Sequence, residues 1–468
     1  MYGQHKFEQY IKANPQHRHK NFFDRPHWTR RNFFQILGSG VTASFLAGRA
    51  HAEGLSQAAV TPVNKAKNVI FVLLTGAPSH TDTFDLKFLD GTTPVDFNPT
   101  KYGDILWPAG LLPKLATKLP DIAIVRSLRA WALVHSLGQT WQQIGRNPAA
   151  ALGDIAPNIG SIVALEKEKE RTVNQVFPSF LALNSAQGVG SGYLSSKYAP
   201  FKINPVAAGL SNVTNVDGQA RLNDRFALLH SLDDPLRQAP SPLGKPMEDM
   251  DSFYAAAKGL TYNSTVDTAF RYSAADSARY GNTGFGNACL VAKQVLAANQ
   301  GTRFIQISYG SWDMHINIYD KQVNPRGSLY ALGTPLDDGV SALLTDLKAA
   351  GLLDSTLVVM VGEFGRTVGK LNPGGGRDHF PQQFVMFAGA GVKGGRAIGS
   401  TNADGSATVD PGWSQGRDVK PEDIEATIYS AMGIDWTYVN YNDPFHRGFE
   451  YVPGGKDGVY APINELWG

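Results

Sequence analysis

The stretch that decides the fold is Asn68–Leu74, which reads NVIFVLL and contains an unbroken series of apolar residues after its first position. A run of this length without polar alternation is typical of a β-strand that is covered on both faces. It stops at Thr75-Gly76-Ala77-Pro78, a segment that cannot continue a strand. We therefore predict a buried strand whose carboxyl end opens into a loop.

Similar runs recur along the chain and alternate with helical patterns. Further strands are predicted at Ile122–Val125, Gly301–Ile307, Thr356–Val361 and Gln383–Ala388, and helices at Ser136–Ile144, Val340–Leu353 and Pro421–Met432. This alternation predicts an α/β fold with a mainly parallel central sheet flanked by helices. Residues 68–468 are predicted to form one such domain after a linker at 53–67, with an irregular insertion or cap at about 185–285.

Charge and cysteine content exclude several classes of protein. The 468 residues include 43 Lys and Arg against 41 Asp and Glu, and eight of the basic residues fall within residues 1–52. The rest of the chain is slightly acidic, so we expect no nucleic-acid partner. The single cysteine, Cys289, excludes an internal disulfide bond and lies in a helical pattern as a small core residue.

The first 52 residues have the pattern of an export signal. Arg30 and Arg31 precede the mildly apolar stretch ILGSGVTASFLAG, and Ala50-His51-Ala52 follows as a cleavage site. We predict a twin-arginine signal peptide, a periplasmic or otherwise exported protein, and the twin-arginine translocase as a partner during export. An ordinary amphipathic helix is the alternative. No later apolar run reaches the roughly 18 residues of a spanning helix, so we expect no stable membrane span after cleavage.

Four of the six histidines after residue 52 lie close to predicted strand ends. They are His80, His135, His315 and His379. Ligands of open α/β sheets bind outside the carboxyl ends of the strands. The pattern therefore indicates a convergent site, although a single histidine at a strand end more often makes a structural hydrogen bond.

Carboxylates accompany these histidines, and the mixture of imidazole and carboxylate groups favours Zn²⁺, Mn²⁺ or Fe over Ca²⁺ or Mg²⁺. Asp313 precedes His315 by two residues, which places both side chains on one side of an extended chain. Glu363 ends a predicted strand. The predicted metal ligands are Asp82, His80, Asp313, His315, Glu363, Asp378 and His379.

Two arginines, Arg366 and Arg377, are candidates to bind a tetrahedral oxyanion through paired N–H groups. Arg377 follows Pro373-Gly374-Gly375-Gly376, a segment that lets the backbone approach a ligand closely. The alternatives are local: an ion pair between Glu363 and Arg366, and a salt bridge within the turn at Arg377 and Asp378.

Taken together, the motifs NVIFVLLTGAPSHTDTFD, GSWDMH, VVMVGEFGRT and GRDHFP resemble a family of exported bacterial proteins, the domain of unknown function 1501. That family is similar, more distantly, to the alkaline phosphatase and sulfatase superfamily. The resemblance implies an α/β metalloenzyme that cleaves phosphate or sulfate monoesters.

The wider resemblance places individual residues in roles but also shows departures. Glu363 corresponds to an acidic metal ligand, whereas Phe364 stands where a second ligand is expected. The position of the sulfatase cysteine becomes His135, with Ser136 next, so no formylglycine precursor is present. The first strand ends in Thr75-Gly76, where the superfamily has an acidic residue.

We therefore expect an exported metal-dependent hydrolase that acts on a phosphate or sulfate ester of a small molecule or a glycan. Ser136 is the candidate nucleophile, with His135 as its base or as the acid for the leaving group. Arg366 or Arg377 would hold the remaining oxygens. Attack by a water that the metal activates is the alternative route. A non-catalytic or degenerate binding protein on the same fold is the rival hypothesis.

Overall fold

The computed structural model describes residues 60–185, 188–238, 240–322 and 327–468. The predicted signal peptide lies outside these residues. The described strands are β1 (Asn68–Leu74), β2 (Pro99–Tyr102), β3 (Ile105–Pro108), β4 (Ile122–Arg129), β5 (Phe180–Leu183), β6 (Phe201–Ile203), β7 (Phe304–Tyr309), β8 (Thr356–Gly362), β9 (Gly365–Arg366), β10 (His379–Phe380), β11 (Gln382–Ala388), β12 (Arg396–Ile398), β13 (Ser400–Thr401), β14 (Thr408–Asp410), β15 (Val439–Asn440) and β16 (Phe449–Glu450).

The described α-helices follow in the same chain order. They are α1 (Pro113–Ala116), α2 (His135–Ile144), α3 (Ile159–Lys167), α4 (Gly218–Arg237), α5 (Lys245–Leu260), α6 (Ser264–Phe270), α7 (Ala274–Arg279), α8 (Gly284–Ala298), α9 (Leu329–Ala349) and α10 (Pro421–Ala431).

Eight strands form the central sheet in the order β12-β4-β11-β8-β1-β7-β5-β6. All neighbouring pairs are parallel except those of β11, which runs antiparallel to both β4 and β8. The predicted fold class, a mainly parallel sheet flanked by helices, is confirmed. The direction of β11 could not be predicted from its own residues, because the run QQFVMFA is equally compatible with either orientation.

Strand β1 shows why this sheet is buried on both sides. Its residues alternate between two hydrophobic clusters: Ile70 and Val72 belong to one, and Val69 and Phe71 to the other. Helices α8 and α9 supply apolar residues to the first cluster, and α3 and α10 to the second. This two-sided burial is the physical reason for the unbroken apolar run in the sequence.

The ends of the strands gather the loops that carry the polar residues. Strands β1, β4, β7 and β8 all point the same way, so their carboxyl ends lie at one edge of the sheet. Because β11 is antiparallel, its amino end, and the residues just before it, lie at that edge as well. Five segments of the chain therefore meet there.

The less regular part of the chain, residues 185–285, contains the edge strand β6 and helices α4 to α7. Helix α9 begins at Leu329, earlier than the predicted start at Val340, and it includes Pro335 in its interior. Among the described helices, none combines the length and the apolar character needed to cross a membrane.

Candidate metal centre

Three histidines and one aspartate converge at the strand-end edge of the sheet. One ligand atom each of His135, Asp313, His315 and His379 lies within 4.8 Å of all the others. The Nε2 atoms of His315 and His135 lie 3.0 and 3.1 Å from Oδ1 of Asp313, and that of His379 lies 3.6 Å from the same oxygen. The four atoms surround one small volume.

A short backbone pairing brings the two halves of this cluster together. The N–H of Arg377 donates to the carbonyl of Met314 at 3.0 Å, and Ile316 forms a β-bridge with Gly375. At Gly376 a Cβ atom would lie 2.1 Å from the carbonyl carbon of His315, so only glycine fits. The glycine run thus serves close contact between two chain segments, whereas the sequence suggested close approach to a ligand.

His135 reaches the cluster from the other side, as the first residue of α2. Helix α2 packs against the loop after β8, where Gly138 faces Glu363 so closely that a Cβ would lie 3.0 Å from the Cβ of Glu363. The glycine therefore sets the separation between the helix and the strand end. This separation lets Nδ1 of His135 lie 2.7 Å from Oε1 of Glu363.

Each histidine uses its Nδ1 atom outside the cluster. Nδ1 of His379 lies 2.7 Å from the carbonyl oxygen of Leu133, which can only accept, so this nitrogen carries the proton. Nδ1 of His315 lies 2.7 Å from Oδ1 of Asp378. In the neutral rings this leaves Nε2 as an unprotonated atom that points into the cluster, which is how histidine ligands are oriented at metal sites.

The facing Nε2 atoms of His315 and His379 are 3.1 Å apart. With both Nδ1 atoms protonated, two nitrogen lone pairs face each other at this distance, which is unfavourable unless a cation lies between them. The Nη1 group of Arg366 also contacts Nε2 of His315, at 3.3 Å, which is consistent with an unprotonated nitrogen there.

Arg366 holds the cluster from beneath and is fully buried. Its guanidinium donates to Oδ1 of Asp313 at 2.6 Å, to the carbonyl of Ala77 at 2.8 Å and to the carbonyl of Gly76. These contacts tie the loops after β1 and β7 together. The local alternative was an ion pair of Arg366 with Glu363, whereas in the structure Arg366 pairs with Asp313.

The surroundings set the charges of the site. Burial raises the pKa of Asp313, but the hydrogen bond and charge of Arg366 outweigh it, so the net pKa is lowered. Burial lowers the pKa of His379, and the nearby charge of Arg366 adds to the effect. The hydrogen bond to Glu363 raises the pKa of His135. Asp313 is therefore ionised and His379 neutral at neutral pH, the states required of metal ligands, whereas His135 holds a proton more tightly and must release it when a metal binds.

The residues fit a divalent cation. Nε2 of His135 is buried and has no hydrogen-bond partner among the described residues. Three carboxylates and one guanidinium lie in or around the cluster, which leaves a formal charge of −2 for a divalent ion to balance. Three imidazoles and one carboxylate are a donor set suited to Zn²⁺, Mn²⁺ or Fe.

Of the predicted ligands, the structure brings Asp313, His315 and His379 into the cluster. Glu363 and Asp378 lie one step further out, each on the Nδ1 atom of a histidine. His135, predicted as an acid or base, contributes its Nε2 atom to the cluster. Sequence reasoning placed it at the same loop but could not tell which of its nitrogens faces the other histidines.

His80, Asp82 and Arg377 occupy a separate buried position, which does not agree with their predicted roles. Both carboxylate oxygens of Asp82 accept from Arg377, at 2.7 and 3.2 Å, and Tyr319 donates to Asp82 at 2.6 Å. Arg377 is thus occupied by a buried ion pair and is not free to bind an oxyanion. Nε2 of His80 contacts the carbonyl of Gly405 at 2.9 Å.

Ser136 is exposed in the first turn of α2, next to His135. The carbonyl of Leu133, which orients His379, was not predicted, because a backbone acceptor leaves no trace in the identity of its residue. The buried Arg366 was predicted as an oxyanion group, whereas its hydrogen bonds to Asp313 and to three backbone carbonyls indicate a structural role.

The fold and this cluster define an α/β protein with a candidate metal centre at the carboxyl edge of its sheet. Residues 66–448 match the family described as "Protein of unknown function (DUF1501)". The chain belongs to this family, which confirms the resemblance stated from the motifs. No curated protein matches the chain.

Among solved structures, the chain is similar to a lipoteichoic acid synthase, LtaP, from Listeria monocytogenes (12% identity, covering 85% of this chain and 79% of that chain, TM-score 0.35). Another is a protein in the alkaline phosphatase superfamily from Vibrio parahaemolyticus (11% identity, covering 80% of this chain and 69% of that chain, TM-score 0.37). A third is the phosphonate monoester hydrolase SpPMH from Silicibacter pomeroyi (12% identity, covering 79% of this chain and 73% of that chain, TM-score 0.36). Likeness at this level assigns no chemistry to the chain.

Proposed function

We propose that the protein is a metal-dependent hydrolase of phosphate or sulfate esters, with His135, Asp313, His315 and His379 as the metal ligands. The observation that carries this proposal is the convergence of three Nε2 atoms and one carboxylate oxygen within 4.8 Å. Such a set of lone pairs is unfavourable without a cation, and its outer hydrogen bonds match those of histidine ligands.

A divalent cation, when bound, supplies Lewis acidity towards an ester oxygen and lowers the pKa of a water towards ~7. The protein residues hold the geometry. Arg366 fixes Asp313 through a 2.6 Å hydrogen bond, and Glu363 and Asp378 fix the rings of His135 and His315. This support lets the four ligand atoms keep their positions while substrate enters and product leaves.

We propose water as the nucleophile rather than Ser136. Nε2 of His135 faces the cluster, and its Nδ1 is occupied by Glu363, so His135 is not available as a base for Ser136. The side chain of Asp313 is 44% exposed, so the cluster can be reached from solvent on that side. Solvent on that side can accept the proton that an attacking water loses.

The experiment is metal-dependent turnover of p-nitrophenyl phosphate and p-nitrophenyl sulfate by protein purified without a histidine tag. We expect activity with Zn²⁺, Mn²⁺ or Fe²⁺ that is lost in His315→Ala. Stoichiometric metal without turnover of either ester would instead favour the binding-protein hypothesis.

We also propose that residues 1–52 direct export through the twin-arginine translocase, because Arg30-Arg31, the apolar stretch and Ala50-His51-Ala52 stand in the required order. The test is fractionation of cells that express the full chain. Arg30→Lys together with Arg31→Lys should leave the protein uncleaved and in the cytoplasm. Normal export of this variant would contradict the proposal.

A further inference from the structure

Two tryptophans flank His135 in the chain and are not part of the metal centre. Trp131 is 48% exposed, and Trp141 is partly exposed. Their ring centroids are 6.3 Å apart with an angle of 26° between the planes. They border a cleft of about 440 Å³ whose lining also includes Arg146, Asn147 and Tyr460.

The two rings are held in place by one buried carboxylate. Nε1 of Trp131 donates to Oε2 of Glu422 at 3.0 Å, and Nε1 of Trp141 donates to Oε1 of the same residue at 2.9 Å. Glu422 itself is only 3% exposed. A buried acid that accepts from both indole N–H groups fixes the orientation of two rings that line the cleft. Rigid aromatic surfaces of this kind give contact area at low entropic cost.

Each tryptophan lies in a chain segment that also contacts or contributes to the metal centre. Trp131 lies in the loop whose Leu133 carbonyl accepts from His379, and Trp141 lies six residues after His135 on the same helix, which corresponds to about 9 Å along its axis. Leu133 and Val134 are also exposed, by 41% and 59%. Exposed apolar residues therefore lie in the loop between Trp131 and His135.

The electrostatics of the cleft favour a neutral ring with polar substituents over a cation. Nζ of Lys420 already lies 3.9 Å from the centre of the Trp131 ring, so the position that a quaternary amine would take is filled. Both oxygens of Glu422 are used by the indoles, so this acid is not free to pair with a ligand cation. The polar groups of Asn147 and Tyr460 in the lining suit hydroxyl groups.

We infer that this cleft is a carbohydrate-binding subsite, in which a sugar ring packs on Trp131 and Trp141 while the attached chain extends towards the metal centre. Sugar rings have apolar faces and polar edges, which match an aromatic surface with a polar rim. That the bound sugar also carries the ester to be cleaved rests on the proposed function. Sugar binding in the cleft does not depend on that function.

The binding test is affinity gel electrophoresis of the metal-loaded protein in gels that contain laminarin, chondroitin sulfate or phosphomannan. We expect at least one polysaccharide to retard the wild-type protein. Trp131→Ala and Trp141→Ala should each weaken this binding by about tenfold or more, the loss expected for one stacking interaction. Trp131→Phe, which keeps an aromatic face, should retain most of it.

Tyr441→Ala serves as the matched control, because Tyr441 is an exposed aromatic residue (62%) outside the cleft lining. It should leave retardation unchanged. A wild-type protein that none of the three polysaccharides retards, or equal retardation of Trp131→Ala and wild type, would overturn the inference. Melting temperatures of all variants verify that they are folded.

The ester statement is tested separately. The variant His315→Ala with His379→Ala should keep polysaccharide retardation but release no sulfate or phosphate from the retarding polysaccharide. Retardation of the wild-type protein without any release by it would leave the carbohydrate subsite standing and remove the proposed hydrolase. Release of sulfate or phosphate by a wild-type protein that no polysaccharide retards would leave the proposed hydrolase standing and remove the carbohydrate subsite.

Discussion

Oε1 of Glu363 lies 2.7 Å from Nδ1 of His135 and also accepts from the backbone N–H of Gly76 at 2.8 Å. One buried carboxylate thus connects the end of β1 to the start of α2. Its other oxygen, Oε2, is buried with no hydrogen-bond partner among the described residues. We propose that Glu363, predicted as a metal ligand, acts on the metal centre through His135 by fixing the direction of its ring.

Glu363→Gln tests this outer position. Removal of the carboxylate charge weakens the orientation of His135 and lowers its basicity, so we expect metal affinity to fall by about 10- to 100-fold. Competition with a chromophoric chelator measures the affinity. Glu450→Gln is the control, since Glu450 lies in β16, away from the four cluster residues. Unchanged affinity in Glu363→Gln would contradict the role assigned to Glu363.

The buried pair of Asp82 and Arg377 is predicted to support the fold and not to bind the metal. Asp82→Asn leaves a buried guanidinium without its charged partner, which costs about 3–5 kcal/mol. The free energy of unfolding in urea should fall by this amount, while the metal content of the folded protein at 20 °C stays at the wild-type level. Loss of the metal with little loss of stability would restore Asp82 as a ligand.

Stability is predicted to depend on pH through Glu425, which is far from the cluster in sequence and fully buried. Burial raises its pKa from the usual 4.5 to about 8, against the opposing charge of Arg146. The folded state keeps this proton to a higher pH than the unfolded chain. The stabilisation is therefore complete below pH 4.5 and is lost as the pH rises towards 8.

Urea unfolding at pH 5, 6.5 and 8 measures this dependence. Glu425→Gln should flatten the decline, which amounts to a few kcal/mol in the wild-type protein. Glu170→Gln, at an exposed acid, should leave the slope as it is. If Glu425→Gln and wild type decline in parallel, Glu425 is ionised in the folded protein at neutral pH.

Ser136→Ala separates the two possible nucleophiles. With water as nucleophile, we expect kcat to change by less than about tenfold, because Ser136 supplies at most a hydrogen bond. A serine nucleophile would instead give a loss of several orders of magnitude and a burst of product in the wild-type enzyme. Stopped-flow assays with p-nitrophenyl esters distinguish these outcomes, and Thr140→Ala is the control on the same helix.

The central part of the fold could be predicted because its strands are buried on both faces. The sequence of Asn68–Leu74 gives the bounds of β1 without error, and Thr356–Val361 is one residue shorter than β8. The short strands β5, β6 and β12 were not predicted, since runs of three or four residues carry too little pattern.

The candidate site could be predicted at the level of the loops but not of the side chains. Strand direction brings His135, Asp313, His315 and His379 to one edge of the sheet. This much can be predicted from the positions of the four residues relative to the predicted strands. Whether Asp82 turns towards this edge or towards Arg377 depends on tertiary packing around Tyr319, 237 residues away in the chain. No local pattern contains such information.

The most direct test of the central claim is the metal content of tag-free protein, measured by inductively coupled plasma mass spectrometry. We predict one divalent metal ion per chain in the wild-type protein and none in the double variant His315→Ala with His379→Ala. The melting temperature of the double variant should match that of the metal-stripped wild-type protein. A folded wild-type protein that takes up no Zn²⁺, Mn²⁺ or Fe²⁺, or a double variant that retains the full amount, would contradict it.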